Sequence, residues 1–380
     1  MKKHRDILCI LGITFLYHTM NQMFVPTLPI YIASLGGGEG TVGVLVGMLA
    51  AGAVIFKLYF ARVAVGKGHL YVLRIGLLTA AAAPLLYIPS LGFGVMGLAR
   101  LIQSIGLAGF VVGSQSLLAD YGTENNRGLL FGVYSAMIGV GMVVGPLLGL
   151  YLFEAVGVIY LFGGAALVTW LAVILSWLIN EKPQEDAEAV GSYQPFQNVP
   201  LLVICASMLA ASMVYGAQSS FVTLHARAVG INNPAVFFSV FALLYTISGA
   251  VAGHLSDRLG RTVLVVPGFF LMILALLVLA GLKGTVSLVV GAFLSGLGFG
   301  TVNAVLLTMV SDYSSKQDLP RDMAFFSNAF DLGFALGAMG LGVVARYSYS
   351  AVWLVLTVVV FGGLGVFQLR NPERRPSVMN

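Results

Sequence analysis

Charge is scarce in this sequence. Asp, Glu, Lys and Arg make up 9% of its 380 residues while 58% are hydrophobic, and the mean hydropathy is +0.94. A soluble globule of this length cannot hide so much apolar surface, which excludes that class. Cysteine is scarcer still. Cys9 and Cys205 each sit inside an apolar run, so neither a disulfide framework nor a thiolate metal site is supported, and both read as small buried hydrophobes. Also missing are a nucleotide-binding glycine loop, paired catalytic carboxylates, a nucleophile triad and a metal-ligand cluster. ATP-driven transport and membrane-enzyme chemistry therefore lack support; no enzyme activity and no cofactor are expected.

What the sequence has in abundance is long apolar runs. They fall at 7–34, 41–60, 70–90, 93–118, 128–153, 157–180, 199–225, 235–254, 263–282, 285–311, 323–346 and 350–369. Each is long enough to cross a bilayer as a helix, and none alternates as an outer-membrane strand would. The expected fold is an all-α membrane protein of twelve transmembrane helices. The formal charge of +5 could point to an anionic partner such as nucleic acid, but the placement of the 20 Lys and Arg gives a simpler explanation. Only Arg227, Lys283 and Arg346 fall on the sparse side and Lys57 and Arg100 within spans; the rest mark one face as cytoplasmic, with both termini on it. No nucleic-acid partner is expected. The partners are a lipid bilayer, a small molecule and protons, for a functional monomer in a plasma (inner) membrane. The amino-terminal run continues through Asn21, Gln22, Pro26 and Pro29 without a small-residue cleavage site, so it reads as a retained helix.

The longest hydrophilic stretch, NEKPQEDAEAVGSYQPFQNVP, lies between the sixth and seventh runs. It divides the chain into an N-terminal six-helix half (1–180), a cytoplasmic linker (181–199) and a C-terminal six-helix half (200–380). Sliding the sequence by 192 residues lays LLADY (117–121) on MVSDY (309–313), Gly106 on Gly298 and Gly76 on Gly268. The halves are therefore related. A six-span repeat preserves orientation, which predicts two pseudo-symmetric bundles about an axis along the membrane normal with a central cavity between them.

The same offset pairs GHLSDRLGRT, residues 253–262, with ARVAVGKGHL, residues 61–70, where Val65 replaces Asp257, Gly66 replaces Arg258 and His69 replaces Arg261. One copy keeps its charges. It reads either as a conformational latch, with Asp257 stabilising the positive start of a neighbouring helix, or as an ordinary basic turn. The expected neighbour is the start of the fifth run at Arg127 and Gly128, which has no acid of its own.

GHLSDRLGRT resembles the loop signature of the major facilitator superfamily, with Gly253, Asp257, Arg258, Gly260 and Arg261 in place. In that family the signature is usually most complete between spans two and three, and here it is complete between eight and nine. RLIQS carries Arg100 and Gln103 at the positions of a second signature, with Ser104 where the family has glycine. Gly132, Gly141, Gly145, Pro146 and Gly149 match the span-five pattern of the family's antiporters, with Leu150 in place of the last glycine. The resemblance implies proton-coupled antiport of a drug or metabolite. Independently, glycines at this spacing let helices approach closely, and Pro146 removes a backbone donor. A glycine-rich packing face with no directional meaning is the alternative reading.

Asp331 is the one acid well inside a run. An intramembrane carboxylate is costly and so a candidate proton carrier. It shares a helical face with Ala324, Asn328, Ala335 and Ala338. The resemblance favours Lys57 as its partner, either as a titrating couple or as a permanent ion pair. Arg100 has Ala292 at its repeat position; the resemblance implies a part in proton transfer, with substrate anion binding and a structural role as alternatives. His18 is a further candidate pH-sensitive group. Asn21, Gln22, Gln103, Gln115, Tyr134, Tyr215, Gln218, Tyr245, Asn303 and Asn328 are candidate cavity walls, for which helix-to-helix hydrogen bonds compete with ligand contact. Uptake or facilitated diffusion, and a transport-inactive receptor or scaffold, remain as other functions.

Overall fold

The computed structural model describes residues 2–88, 92–122, 127–180, 198–315 and 318–370, and among them all regular structure is helical. The expected linker at 181–199 falls almost wholly outside them. Among the described residues, twelve helices are long and apolar enough to cross a membrane. Many of their large side chains face outward: Ile55, Tyr59, Trp170, Trp177, Phe270 and Val358 are all exposed. Surface of that kind is stable against lipid and not against water.

Two compact units divide the chain, Met1–Ala189 and Val190–Asn380. The first contains α1 (Lys2–Ser34), α2 (Glu39–Lys67), α3 (His69–Ala82) continued by a 3₁₀ turn (Ala83–Tyr87), α4 (Phe93–Tyr121), α5 (Arg127–Tyr151) ending in a π turn (Leu152–Val156), and α6 (Val158–Trp177). Within it α1 packs on α5 and α6, and α4 packs on α2 and α3. Tyr17, Phe24, Tyr87, Phe110 and Phe162 fill its core.

The second unit contains α7 (Val199–Ala228), α8 (Ala235–Leu259), α9 (Arg261–Ala280), α10 (Thr285–Tyr313), α11 (Leu319–Ala335), a π turn (Leu336–Gly340), the short α12 (Gly342–Ala345) and α13 (Tyr349–Leu369). Its pairings repeat those of the first: α7 with α11 and α13, and α10 with α8 and α9. The 192-residue repeat read from sequence is thus a repeat of packing. Phe221, Phe241, Phe269, Trp353 and Phe367 form this second core.

Several helices run past the apolar stretches that announce them. GHLSDRLGRT is mostly helix: α8 continues through Leu259, and only Gly260, at φ 92°, turns the chain before α9 starts at Arg261. Gly68, at φ 90°, does the same between α2 and α3 at the repeat position. That left-handed conformation admits glycine at no steric cost, which is why one residue suffices for the turn. Hydropathy ends with the hydrocarbon, whereas the backbone ladder continues until something breaks it.

Candidate functional site

The clearest cluster in the first unit surrounds Arg100, eight residues into α4 and 3% exposed. Its Nη1 donates to Gln103 Oε1 at 2.9 Å. The same oxygen accepts from the Tyr87 hydroxyl at 3.4 Å, while Gln103 Nε2 points at Met20 Sδ of α1, 3.9 Å away. Tyr87 is fixed in turn by stacking on Phe162, with centroids 5.0 Å apart. Arg100 Nε is enclosed without a hydrogen-bond partner. Ser104, where the family signature has glycine, fits because Gly52 of α2 lies opposite and its hydroxyl turns back to Leu101 O at 2.7 Å.

A second polar group lies where α1, α4 and α5 meet. Tyr134 is buried, its hydroxyl 2.9 Å from Ser114 Oγ. Tyr17 stacks on Phe110 at 3.9 Å with its own hydroxyl buried and unpartnered. His18 sits edge-on to both rings. Gln22 is buried and Asn21 half-buried on the same helix. Gln115 is largely exposed.

The glycines of α5 explain this arrangement. A Cβ at Gly145 would lie 2.6 Å from both Gln22 Cβ and Thr19 O, and one at Gly141 would lie 2.9 Å from His18 Cβ; Gly149 abuts the Met23 backbone. Gly141, Gly145 and Gly149 are the seam on which α1 rests. Gly132 has nothing within 4 Å and takes no part in it. At the repeat positions, Gly333 and Gly337 abut the Leu209 and Met213 carbonyls of α7. The seam is therefore present in both units, while Pro146 has Ala338 at its repeat position.

In the second unit the candidate residues sit among stacked rings. Tyr215 has Phe241 stacked at 5.3 Å and Phe299 at 5.6 Å, with Phe334 edge-on at 5.5 Å. Tyr245 extends the stack through Phe241 and accepts from Asn303 Nδ2 at 2.8 Å. Gln218 donates to Ser295 Oγ at 2.8 Å, a bond between α7 and α10. On α11, Asp331 is 6% exposed, and Asn328 Oδ1, on the same face, is buried with no partner. Lys57 is half-buried on α2 of the other unit.

The charged turn is closed by its last arginine. Arg261 donates to Asp257 at 2.6 Å, to Ser256 Oγ at 2.6 Å and, through Nε, to Asp312 at the end of α10 at 2.9 Å. Arg258 is exposed and Gly253 has open space around it. The side chain of Arg127 lies outside the described residues. At the repeat positions His69 Nδ1 meets Asp120 Oδ2 at 2.8 Å. The degraded copy thus retains a contact of the same shape with a titratable group in place of an arginine. Sequence reasoning missed Asp120 and Asp312 as partners, although LLADY and MVSDY align both. It also missed Tyr87 and the phenylalanines around Tyr215, which hydropathy counts only as core.

Among the described residues no group of three or more His, Cys, Asp or Glu is placed to hold a metal ion. A cleft of about 640 Å³ opens between α2 and α4, lined by residues including Thr41, Val44, Met48, Phe93 and Leu101, and none of the candidate binding residues line it.

The sequence model of the Major Facilitator Superfamily matches residues 10–237 and 201–378. The multi-drug resistance efflux pump PmrA of Streptococcus pneumoniae is 26% identical over 367 residues, which cover 91% of each chain. The staphylopine export protein of Staphylococcus aureus is 24% identical over 387 residues, 96% of each chain. Among solved structures, nucleoside transporter NupG superposes with a TM-score of 0.80 at 16% identity, covering 96% of this chain and 99% of that one. A bacterial homolog of the human lysosomal transporter Spinster, inward-facing and unoccupied, gives 0.77 at 13% identity, covering 100% and 99%. The twelve apolar helices, their repeated packing and these matches lead to one assignment: the chain belongs to the Major Facilitator Superfamily, as an integral membrane secondary transporter of a small organic compound.

Proposed function

We propose that the chain is a proton-coupled antiporter that exports its organic substrate by alternating access, its two six-helix units rocking about a central cavity with both termini cytoplasmic. The observation that carries the coupling is Asp331, an acid within the body of a spanning helix and 6% exposed. Burial disfavours a bare charge, so such a carboxyl is retained where its protonation is used. In this reading Asp331 takes and releases the proton, Lys57 and Arg100 bias its charged form, and His18 is a secondary titrating group. Asp257 with Arg261 acts as a cytoplasmic gate against the start of α5, stabilising one state of the cycle by differential contact. The polar group around Tyr134 and the rings around Tyr215 offer hydrogen bonds and flat apolar faces to the substrate. Relatives named as efflux pump and export protein support the outward direction. The protein acts as a monomer, each chain carrying its own cavity.

Uptake or facilitated diffusion is the competing reading. The glycine seam favours it to the extent that the same seam recurs on α11, so its presence on α5 need not encode direction. Proteoliposomes loaded with a pH-sensitive dye and challenged with a panel of drugs and metabolites separate the two. Antiport predicts substrate-dependent proton movement opposite to the substrate, lost in Asp331→Asn. Proton movement in the same direction as substrate, or coupling unchanged in Asp331→Asn, refutes the assignment.

A further inference from the structure

The guanidinium of Arg100 is out of place for a proton carrier. Arginine does not give up its proton in proteins, so it holds charge without moving it. It has five N–H donors. Among the described residues one is used, Nη1 to Gln103, and Nε is buried with nothing to donate to. Gln103 is neutral and its oxygen already accepts from Tyr87. A charge removed from water without an opposite charge costs several kcal/mol.

No described acid of this half stands ready to offset that cost. From residue 1 to 180 the acids are Asp6, Glu39, Asp120, Glu124 and Glu154. Asp6 and Glu39 lie in the first turns or so of α1 and α2, Asp120 at the end of α4 and Glu154 in the π turn after α5; Glu124 lies outside the described residues. Among the described residues, none of Asp6, Glu39, Asp120 and Glu154 pairs with Arg100, whose one side-chain hydrogen bond goes to Gln103. Arg100 itself lies about 10 Å along the helix axis from the start of α4. The repeat position in the second unit is Ala292, so the scaffold does not require a cation there.

We infer that the transported compound carries an anionic group of carboxylate-like shape, and that Arg100, with Gln103 and Tyr87 behind it, is its seat. Nη1 is held by Gln103, which orients the guanidinium and leaves the Nε and Nη2 edge as the fork. That edge matches two carboxylate oxygens, and a charge-assisted pair of this kind fixes orientation as well as adding affinity. The site is strained electrostatically when empty and relieved when filled. The inference rests on the transporter reading above and adds to it the substrate's charge.

The test uses the full chain, purified in detergent, and a panel of aryl carboxylates each matched with its primary amide, 4-phenylbenzoate with 4-phenylbenzamide among them. Ligand affinity is read from the rise in thermal midpoint with concentration. Carboxylates are expected to bind more tightly than their amide twins, and Arg100→Gln to weaken them by about 10- to 100-fold, erasing the difference while leaving the amides unchanged. Arg100→Lys keeps the charge without the fork and should retain a reduced preference. If Arg100→Gln does not fold, the reduced preference in Arg100→Lys carries the test. Amides binding as well as carboxylates, a panel of carboxylates that leaves the midpoint unmoved, or a preference that survives loss of Arg100 overturns the inference. Failure of the antiport reading shows separately, as absent proton movement with the carboxylate preference intact.

Discussion

Replacing Gly145 with alanine tests whether the span-five glycines are a packing seam. The added methyl would stand 2.6 Å from Gln22 Cβ and 2.6 Å from the Thr19 carbonyl oxygen. The second of these is backbone, so α1 and α5 must separate for it to fit. Overpacking of this kind costs about 1–3 kcal/mol. Alanine recovers about 0.5–1 kcal/mol of helix propensity over glycine, leaving a net loss on the order of 0.5–2 kcal/mol by these two principles. At roughly 2–4 °C per kcal/mol for a unit of this size, the midpoint of the detergent-solubilised protein should fall by roughly 1–8 °C. Gly132→Ala is the control, because nothing lies within 4 Å of the new methyl and only the propensity gain remains. Gly337→Ala, facing the Met213 carbonyl, should behave like Gly145→Ala. The measurement is intrinsic tryptophan fluorescence against temperature on monodisperse protein. A Gly145→Ala midpoint at or above that of Gly132→Ala refutes the seam, and altered transport with an unmoved midpoint would restore a directional role.

Arg261→Ala removes contacts to Asp257, Ser256 and Asp312, but the two carboxylates are 58% and 40% exposed; each pair should therefore contribute under about 1 kcal/mol to stability. Transport should fall far more than the midpoint, and parallel losses in both would remove the gate. His69 and Asp120 form an ion pair only while the imidazole is protonated, whereas Arg261 and Asp312 form one throughout. His69→Arg makes the charge of the first contact permanent, and because Asp120 is 42% exposed the unfolding midpoint should shift by the equivalent of under about 1 kcal/mol; a larger change would mean the contact does more than join two exposed helix ends. Trp353 Nε1 donates to His225 Nδ1 at 3.0 Å, both residues being buried. Trp353→Phe leaves that acceptor unpaired and should cost about 1–3 kcal/mol in thermal or denaturant unfolding; a change well below that would mean the histidine finds another donor.

The spans were legible because a bilayer imposes one length and one composition on every helix, and the repeat because duplicated packing keeps glycines where backbones touch. Gly76, Gly106 and their counterparts Gly268 and Gly298 all meet a neighbouring helix closely. The helix ends were less legible. Arg62 and Asp257 break the apolar runs of α2 and α8, yet both helices continue, to Lys67 and Leu259, and the stops come from single glycines with positive φ. The polar clusters were legible as a set of residues but not as a grouping. Gln218 and Asn303 look alike in sequence, yet one binds Ser295 and the other Tyr245. Helical spacing assigns a face, and only packing assigns the partner.

The repeat also separates scaffold from chemistry. Residues that recur at 192 are structural: Gly141 and Gly145 with Gly333 and Gly337, Gly68 with Gly260, Asp120 with Asp312. Those with the most chemistry do not recur. Arg100 faces Ala292 across the repeat, Asp331 faces Gly139, Tyr245 faces Ala53, Asn303 faces Val111 and Tyr215 faces Met23. A buried charge or an unsatisfied polar atom works against stability, so a duplicated fold has no structural reason to hold one in a single copy. One unit holds the buried arginine and a hydrogen-bonding group, and the other holds the acid and the stacked rings. In the proposed antiport, the substrate and the proton would be handled by opposite charges carried on different units.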